Sequence, residues 1–316
     1  MNSSIKISNI AEKSALRIAL LASNPKLYSN QRIIESALKK GHLIEFLNVG
    51  KCYLKISPHN LQIFYDKGKE VPNFNCIIPR IKPAMTSYGV AIIRQFEAMK
   101  IKCFNGSQAI LKSRDKLHTM QILAENHLPI PTTAFANSSY DTKHLIEIVD
   151  KSPLIIKLLQ GTKGVGVMLA ETDKTALSII NAFRSVDADI LVQNYIKDTL
   201  KEPSKPYRGK DLRCFVIGDK VVASMEREAE EGEFRANIHL GAKAKAVEIS
   251  KQEEELAIAV AKVIGLEIAG VDMVRSSEGS KIIEINSSPG LEGIEDATGV
   301  DIADLIIKYI ENYGNY

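Results

Sequence analysis

The segment Ile268–Glu295 constrains the fold of this chain more than any other, because two apolar runs flank a short polar turn. Residues 276–280 read Ser-Ser-Glu-Gly-Ser, a composition that predicts a β-hairpin. If the turn centres on Glu278, Asp272 on the first strand lies directly opposite Glu284 on the second. The Cβ atoms of such a pair are roughly 5 Å apart, a separation at which two like charges destabilise a sheet. The hairpin therefore needs a compensating charge near its two carboxylates.

Oxygen-bearing side chains recur on the second strand of this hairpin. Side chains alternate between the two faces of a strand, so Ile282, Glu284 and Asn286 are expected on one face. Two carboxylates and an amide on an apolar hairpin favour a bound cation, and ligand sets made only of oxygen suit Mg²⁺ or Mn²⁺. The pattern predicts a divalent-metal site at Asp272, Glu284 and Asn286. The alternative is an exposed polar face in a different strand register.

Chain length and composition bound the class of protein. The 316 residues exceed what one ordinary hydrophobic core accommodates, so two or three lobes are expected. A net charge of +3 does not indicate direct nucleic-acid binding. No run of about 18 apolar residues predicts a membrane span. Residues 1–16 are polar and lack the apolar stretch of a secretory signal, so a flexible N-terminal extension is expected there.

Four cysteines are scattered along the chain with no CxxC spacing among them: Cys52, Cys76, Cys103 and Cys214. Such spacing predicts reduced, structural thiols in a cytoplasmic protein.

The first region, residues 17–110, has a strand–helix–strand rhythm. An apolar run at Arg17–Ala22 predicts a buried strand, a helix near Tyr28–Lys40 ends at Gly41, and Leu43–Val49 predicts the next strand. This order favours parallel pairing. No GxGxxG motif follows the first strand, so the sequence does not support a dinucleotide site.

The second region, residues 111–197, contains a lysine inside an apolar strand. Lys157 lies in the run Pro153–Gln160, where an unpaired ammonium group is costly, so an anion or a carboxylate partner is expected. A side chain directed to the surface is the alternative. The glycine-rich turn 161–166 follows, and its backbone N–H groups could contact phosphate oxygens. An ordinary flexible hairpin is the simpler alternative. The closing strand Asp189–Ile196 could contact a flat base, but core packing is the favoured interpretation.

The third region, residues 198–316, begins with an exposed basic loop at 198–210, and a hairpin with a Gly-Asp turn follows at 211–224. The segment Met225–Asn237 mixes two arginines with five glutamates, which predicts a solvated charged loop or, alternatively, arginines that bind carboxylate or phosphate. Ser250 and Glu253 form a capping box that begins a helix ending at Gly265, and residues 301–312 predict a closing helix.

Several motifs, in order along the chain, resemble those of the ATP-grasp ligases, and within that superfamily those of the RimK family, the ribosomal protein S-six modification enzymes. They are Ser113-Arg-Asp-Lys116, Lys157 before its glycine-rich turn, Asp211-Leu-Arg213, Phe234-Arg-Ala-Asn237, Gly270-Val-Asp272, and Glu284-Ile-Asn286 with the Ser-Ser-Pro-Gly-Leu-Glu-Gly-Ile-Glu295 run behind it. The runs Ile78-Pro-Arg80, Ser87-Tyr-Gly89 and Arg94-Gln-Phe-Glu97 are also similar to that family. The resemblance extends from Arg17 to Tyr309.

This resemblance implies an α/β (α+β) ATP-grasp fold with three lobes. They are an N-terminal parallel α/β pre-ATP-grasp domain at 17–110, a central domain at 111–197, and a C-terminal antiparallel-sheet domain at 198–316. ATP would lie between the last two domains.

The resemblance also assigns a role to each residue of the ATP site. Lys116 and Lys157 would contact phosphates, and Gly161, Gly164 and Gly166 would belong to the loop that closes over them. Asn194 and Tyr195 would meet the adenine, and Asp211 would lie near the sugar. Arg235, Ala236 and Asn237 would reach the transferred phosphate. Asp272, Glu284 and Asn286 would hold two Mg²⁺ or Mn²⁺ ions, with Glu284 bridging them. Arg235 and Lys157 would be the catalytic residues.

The activity that the resemblance implies is the ATP-dependent addition of L-glutamate to the C-terminal carboxyl of ribosomal protein S-six, through an acyl phosphate. Some relatives also make poly-α-glutamate, and relatives form homotetramers. The family usually has Glu at the position of Asn194 and often Ser at that of Ala236, and the loop at 199–210 is longer here. That loop could bind an acidic partner or be a solvated insertion.

Two alternative functions stay open at this point. One is another ATP-grasp amino-acid ligase, such as the lysine-biosynthesis carrier-protein ligase or the deazaflavin-coenzyme glutamate ligase. The other is a non-catalytic nucleotide-binding module.

Overall fold

The structure is a computed structural model that describes residues 15–136, 142–150, 152–159, 166–196 and 209–313. Residues 1–14 of the expected N-terminal extension lie outside these ranges, as do residues 198–208 of the expected basic loop. In the described part of the chain, no helix is both long enough and apolar enough to cross a membrane.

The N-terminal lobe is built on a four-stranded parallel sheet. Its elements are β1 (Arg17–Ala22), α1 (Tyr28–Lys39), β2 (Leu43–Asn48), β3 (Cys52–Ser57), β4 (Asn60–Tyr65), β5 (Lys69–Glu70), β6 (Cys76–Arg80), α2 (Thr86–Ala98), β7 (Lys102–Cys103) and α3 (Ser107–Arg114). The strand order is β2-β1-β6-β7, and each neighbouring pair is parallel, so the predicted parallel pairing of the first two strands is confirmed. Strands β3, β4 and β5 form a separate antiparallel sheet.

The central lobe is an antiparallel sheet covered by two of its three helices. Its elements are α4 (Lys116–Glu125), β8 (Thr133–Phe135), α5 (Thr142–Ile148), β9 (Leu154–Leu158), β10 (Val167–Ala170), α6 (Asp173–Arg184) and β11 (Ile190–Asn194). The strand order is β10-β9-β11-β8. The sheet and helices α5 and α6 share a small core of their own.

The C-terminal lobe is a five-stranded antiparallel sheet. Its elements are β12 (Lys210–Ile217), β13 (Lys220–Glu228), β14 (Lys243–Ala246), α7 (Lys251–Ile264), β15 (Ile268–Ser276), β16 (Gly279–Asn286), α8 (Glu292–Thr298) and α9 (Ile302–Tyr313). The order is β14-β13-β12-β15-β16. A parallel sheet followed by two antiparallel sheets confirms the predicted mixed α/β class.

The register of the β15–β16 hairpin confirms the pairing of Asp272 with Glu284. The turn is one residue shorter than expected, because Ser276 pairs with Gly279, and a bulge beyond Met273 restores the predicted register. The bulge reverses the alternation of β16. The prediction that Ile282 shares a face with Glu284 is therefore wrong, since Ile282 packs with Ile285 in the core under α7.

Two local predictions near helices and strands can be compared directly with the structure. The predicted capping box at Ser250 is present, and the helix it begins ends at Gly265 with φ +88°. Helix α4 is capped by Asp115, while the hydroxyl of Ser113 donates to the Ile110 carbonyl within α3. Lys210, expected in the exposed loop, is the first residue of β12.

The N-terminal and C-terminal lobes share one hydrophobic core. Ile18 and Leu20 of β1 pack in the same cluster as Phe215 of β12 and Ile306 of α9. Asn105 adds a buried polar connection: its side chain accepts from the N–H groups of Glu267 and Ile268 and donates to the carbonyls of Ile268 and Ser287, at 2.7–2.9 Å. Sequence reasoning did not single out Asn105. These contacts hold the carboxyl edge of the parallel sheet against the β15–β16 hairpin.

The described structure confirms the predicted state of the cysteines. Cys52, Cys76, Cys103 and Cys214 are all free and buried. Burial raises the pKa of the Cys52, Cys76 and Cys214 thiols to about 12, so they stay protonated and unreactive at neutral pH.

Candidate functional site

Lys157 projects from strand β9 towards the C-terminal lobe. Leu154 and Ile156 of the same strand are buried in the core of the central lobe, so by alternation Lys157 lies on the opposite face. Burial lowers its pKa to about 8; the charge of Glu284 opposes this shift, and that of Lys116 adds to it. No described residue forms an ion pair or a hydrogen bond with its ammonium group. A desolvated cation in this position favours an anionic ligand.

Lys116 approaches the same place from the first turn of α4. Its ammonium group donates to the carbonyls of Leu158 and Leu159, at 3.1 and 3.2 Å, where β9 ends. Burial lowers its pKa, and the charge of Glu284 again opposes the shift. The structure therefore brings Lys116 and Lys157 together at one end of β9.

Glu284 is the carboxylate that faces these cations from the C-terminal sheet. Its side chain is exposed, and it forms no ion pair with another described residue. Its negative charge acts on three cations, Arg114, Lys116 and Lys157, by opposing the lowering of their pKa values by burial. Residues more than a hundred positions apart in sequence thus face each other across the boundary of two lobes.

Asp272 lies beside Glu284 but belongs to a buried network of ion pairs. Arg213 of β12 donates two hydrogen bonds to its carboxylate, at 2.7 and 2.6 Å, and Arg227 of β13 donates a third, at 3.0 Å. Arg227 also binds Asp211 through two bonds of 2.6 Å. The network of two arginines and two aspartates therefore extends across strands β13, β12 and β15, and its formal charges sum to zero.

The pKa values in this network follow from burial and from the arrangement of charge. Burial favours the neutral form of Asp272, but Arg213 and Arg227 outweigh burial and hold its pKa below the usual range. Burial raises the pKa of Asp211 to about 6, against the opposing charge of Arg227. Burial would lower the pKa of Arg227, but Asp272 and Asp211 raise it.

Arg227 is a site residue whose position the sequence did not reveal. The segment Met225–Asn237 was expected to be a loop, but β13 continues to Glu228, and Arg227 is only 3% exposed. The usable signal was the alternation of Ser224, Glu226 and Glu228 with Met225 and Arg227, a period of two that marks a strand.

The oxygen atoms near Glu284 are compatible with a divalent cation. The Asn286 side-chain nitrogen is buried with no hydrogen-bond partner in the described ranges, and turning the amide over would place its oxygen there as a ligand. The Oδ1 atom of Asp272 accepts one hydrogen bond, which leaves a lone pair. No group of three His, Cys, Asp or Glu side chains in the described chain could hold a metal, so Asn286 would have to be part of the set.

Arg235 follows Phe234, whose backbone packs against Gly209 immediately before β12. The Arg235 guanidinium pairs with Glu233 at 2.8 Å, and Ala236 is buried. Gly209 fixes this segment, because its N–H donates to the Glu233 carbonyl at 2.9 Å and a Cβ atom at Gly209 would lie 1.9 Å from the Phe234 carbonyl oxygen. Only glycine permits this approach. Asn237 follows Ala236 and begins a short 3₁₀ turn at Ile238–Leu240.

The residues expected near a nucleotide base lie at the end of β11. The Asn194 side-chain oxygen is buried without a partner in the described chain, and the Tyr195 N–H donates to the Pro153 carbonyl at 3.1 Å. Gly166, with φ +74°, precedes β10 and accepts a hydrogen bond from the Leu158 N–H. Gly161 and Gly164, expected over the phosphates, lie outside the described residues.

Comparisons with family models and with known proteins show what this chain is similar to. A family model described as the RimK-like ATP-grasp domain matches residues 113–310, and a model described as the RimK pre-ATP-grasp domain matches residues 16–110. A probable alpha-L-glutamate ligase of Shewanella pealeana is 54% identical over 301 residues, which are 95% of this chain and 64% of that protein. The chain thus spans just under two thirds of that relative. A protein of the same description from Legionella pneumophila is 48% identical and is covered over 95% of its length.

A solved structure also shares the fold. The ATP-grasp ligase PsnB, complexed with a phosphomimetic variant of its minimal precursor, Mg and ADP, superposes with a TM-score of 0.72 at 18% identity, over 96% of this chain and 100% of that one. At this identity the likeness concerns the fold alone.

Proposed function

Because the chain belongs to the RimK family of ATP-grasp proteins, we propose that it is an ATP-dependent ligase that joins the amine of L-glutamate to a carboxylate. Relatives described as probable alpha-L-glutamate ligases support the choice of amino acid. The acceptor we propose is the C-terminal carboxyl of a polypeptide, with the tail of ribosomal protein S-six as the first candidate and poly-α-glutamate as a second product. A homotetramer and a cytoplasmic location stay predictions from the resemblance.

The observation that carries this proposal is the meeting of Lys116 and Lys157 with Glu284 between two lobes. Two desolvated ammonium groups suit a polyphosphate, and a carboxylate facing them suits the cation that accompanies it. We place ATP between the central and C-terminal domains, with Asn194 and Tyr195 towards the adenine and Asp211 towards the sugar.

The chemistry begins with a carboxylate, which is a poor electrophile. Its oxygen attacks the γ-phosphorus of ATP, the bond to the β,γ-bridging oxygen breaks, and ADP leaves with that electron pair. Lys116 and Lys157 offset the charge on the phosphates during this transfer. A Mg²⁺ or Mn²⁺ ion, or a pair of them, held by Asp272, Glu284 and Asn286 would supply further neutralisation of the phosphate charge. The solved neighbour with Mg and ADP is consistent with this choice.

The second step forms the amide. The glutamate amine attacks the carbonyl carbon of the acyl phosphate, and a tetrahedral oxyanion forms. Arg235 stabilises this oxyanion, with Ala236 and Asn237 beside the transferred phosphate. Phosphate then leaves with the electron pair of the broken C–O bond, and the nitrogen loses a proton to give the neutral amide.

The test is a turnover assay with ATP, Mg²⁺, L-glutamate and a peptide that ends in two glutamates. ADP release is followed in parallel with a mass increase of one glutamyl residue on the peptide. We expect both for the native chain and neither for Glu284→Gln, while Glu278→Gln, at the exposed tip of the same hairpin, keeps full activity. A fully active Glu284→Gln enzyme would refute the site.

The same assay separates the alternatives. Turnover with a different amino acid would favour another ATP-grasp amino-acid ligase. Tight ATP binding without turnover on any acceptor would favour the non-catalytic nucleotide-binding module.

A further inference from the structure

The parallel sheet of the N-terminal lobe contains a reversal of strand order that the proposed ATP site does not use. From β1 the chain crosses to β2 on one side, whereas β6 pairs with the other side of β1. The strand order therefore reverses between β1 and β6. In open α/β sheets, ligands bind outside the carboxyl ends of the strands at such a reversal.

Two polar residues stand at this point. Arg80 is the last residue of β6 and pairs with Ala22, the last residue of β1. Ser23 follows Ala22 directly, and its hydroxyl oxygen is buried with no hydrogen-bond partner among the described residues. The reversal of strand order is thus lined by a guanidinium and by a hydroxyl group that has unused hydrogen-bonding capacity.

Arg80 also faces the C-terminal lobe. One of its terminal nitrogens donates to the Pro289 carbonyl at 2.8 Å, in the run that follows Asn286. Burial alone lowers its pKa to about 10, with no acidic side chain opposing the shift. Nothing in the described ranges provides a carboxylate within ion-pair distance of it.

A second guanidinium reaches the same edge from α3. Arg114 donates to the Ile81 carbonyl at 2.7 Å, one residue beyond Arg80. Its Nε atom is buried and has no partner in the part of the chain that the structure describes. Burial lowers its pKa, and the charge of Glu284 opposes the shift, which places Arg114 within electrostatic reach of the proposed phosphate site.

Little negative charge faces the two guanidiniums within the described ranges. The charge of Glu284 opposes the lowering of the Arg114 pKa by burial, and no described carboxylate opposes the lowering of the Arg80 pKa. Lys116 and Lys157 lie beside β9, where the phosphates are proposed. The two guanidiniums lie at the parallel sheet instead. A planar guanidinium can bind both oxygens of a carboxylate, which the compact ammonium group of a lysine cannot do.

We propose that Arg80 and Arg114, with the Ser23 hydroxyl, bind a carboxylate of the substrate that is not the nucleotide. This inference rests on the proposed ligase function and deepens it. Glutamate brings two carboxylates that must be held while its amine reacts, and the acceptor brings further carboxylates. Either would sit between the end of β6 and the Pro289 segment, next to the reacting groups.

The first experiment measures KM for ATP, for L-glutamate and for the diglutamyl-ended peptide in Arg80→Gln, Arg80→Lys and Arg114→Gln. We expect KM for one of the two carboxylate substrates to rise at least tenfold in both Gln variants, with KM for ATP within about twofold of the native value. A rise for glutamate assigns the site to the amino acid, and a rise for the peptide assigns it to the acceptor. Arg94→Gln, on the exposed face of α2, is the matched control and should match the native chain.

The Arg80→Lys variant distinguishes a loss of substrate binding from a loss of folding. Lysine keeps the charge and can still donate to the Pro289 carbonyl, but it cannot form a bidentate pair. We expect its thermal unfolding to match the native chain, with the same KM raised to a smaller extent. Unchanged KM values for both carboxylate substrates in all three variants would overturn the inference, as would an equal rise in KM for ATP.

A binding measurement keeps this inference separate from the proposed function. Calorimetric titration of L-glutamate, and separately of the peptide, is done on the native chain with Mg²⁺ and a non-hydrolysable ATP analogue. Binding that weakens at least tenfold in Arg80→Gln supports the site even if the native chain shows no turnover. Absence of binding of both ligands to the native chain overturns it.

Discussion

Replacing Arg227 with methionine should destabilise the protein by about 3–5 kcal/mol at pH 7.5, the usual cost of removing one partner from a buried ion pair. Three charge-assisted hydrogen bonds disappear: two of 2.6 Å to Asp211 and one of 3.0 Å to Asp272. Asp272 keeps its two bonds from Arg213. Asp211 loses both of its hydrogen bonds from Arg227 and keeps only the more distant charge of Arg213 among the described cations that act on it.

The penalty should depend on pH in a defined direction. The pKa of Asp211 is already raised to about 6 in the native chain, and loss of Arg227 raises it further. A carboxyl group whose folded pKa exceeds its unfolded value of about 4 costs stability above the folded pKa, and the cost vanishes below the unfolded pKa. The difference between native and variant should therefore shrink as the pH falls from 7.5 to 5.

Urea unfolding at the two pH values measures this difference. Arg275→Met is the control, because Arg275 pairs with Glu253 through bonds of 2.6 and 2.8 Å in similar geometry but is 31% exposed. Solvent screening should limit its cost to about 1 kcal/mol. Adding Asp211→Asn to Arg227→Met should recover stability. A loss below about 1 kcal/mol for Arg227→Met, or no recovery in the double variant, would refute the reasoning.

Three further perturbations test the site and the connections between lobes. Affinity for ATP should fall as the pH rises above 8, where Lys157 loses its proton, and Lys157→Met should abolish this dependence in a plot of KM for ATP against pH. Asn105→Ala should cost roughly 2–4 kcal/mol in urea unfolding, because four buried backbone groups lose their partner; a smaller loss would mean that water replaces it. Gly209→Ala should lower kcat by displacing Phe234 and with it Arg235, and an unchanged kcat would show that the segment can shift without loss.

Much of the local structure could be predicted from short-range patterns. The capping box at Ser250 and the glycine stop at Gly265 depend on residues a few positions apart, whereas the predicted pairing of Asp272 with Glu284 is reached only because a bulge offsets the shorter turn. The face of Ile282 could not be predicted, because a bulge decides it. A bulge reflects the balance between the turn geometry and the core packing of both strands.

The ion-pair partners of the buried charged side chains could not be predicted from patterns in the sequence. Arg227 lies between aspartates that come from β12 and β15, and only the strand order of the folded sheet makes them neighbours. Arg80 could be proposed as a binding residue only because the strand order reverses beside it and because it contacts Pro289. Neither feature is visible in the residues that flank it in sequence.

The hairpin near Glu278, the parallel strand–helix–strand start and the apolar strand that carries Lys157 were determined by the sequence itself. Each depends on periodicity and turn chemistry within about 30 residues. Tertiary structure alone decided which carboxylate is neutralised and which is available: Asp272 is bound by two arginines, whereas Glu284 faces the cations of another lobe. The physical reason is that desolvation and Coulomb energy depend on distances between segments that are remote in sequence, and only the packing of the lobes sets those distances.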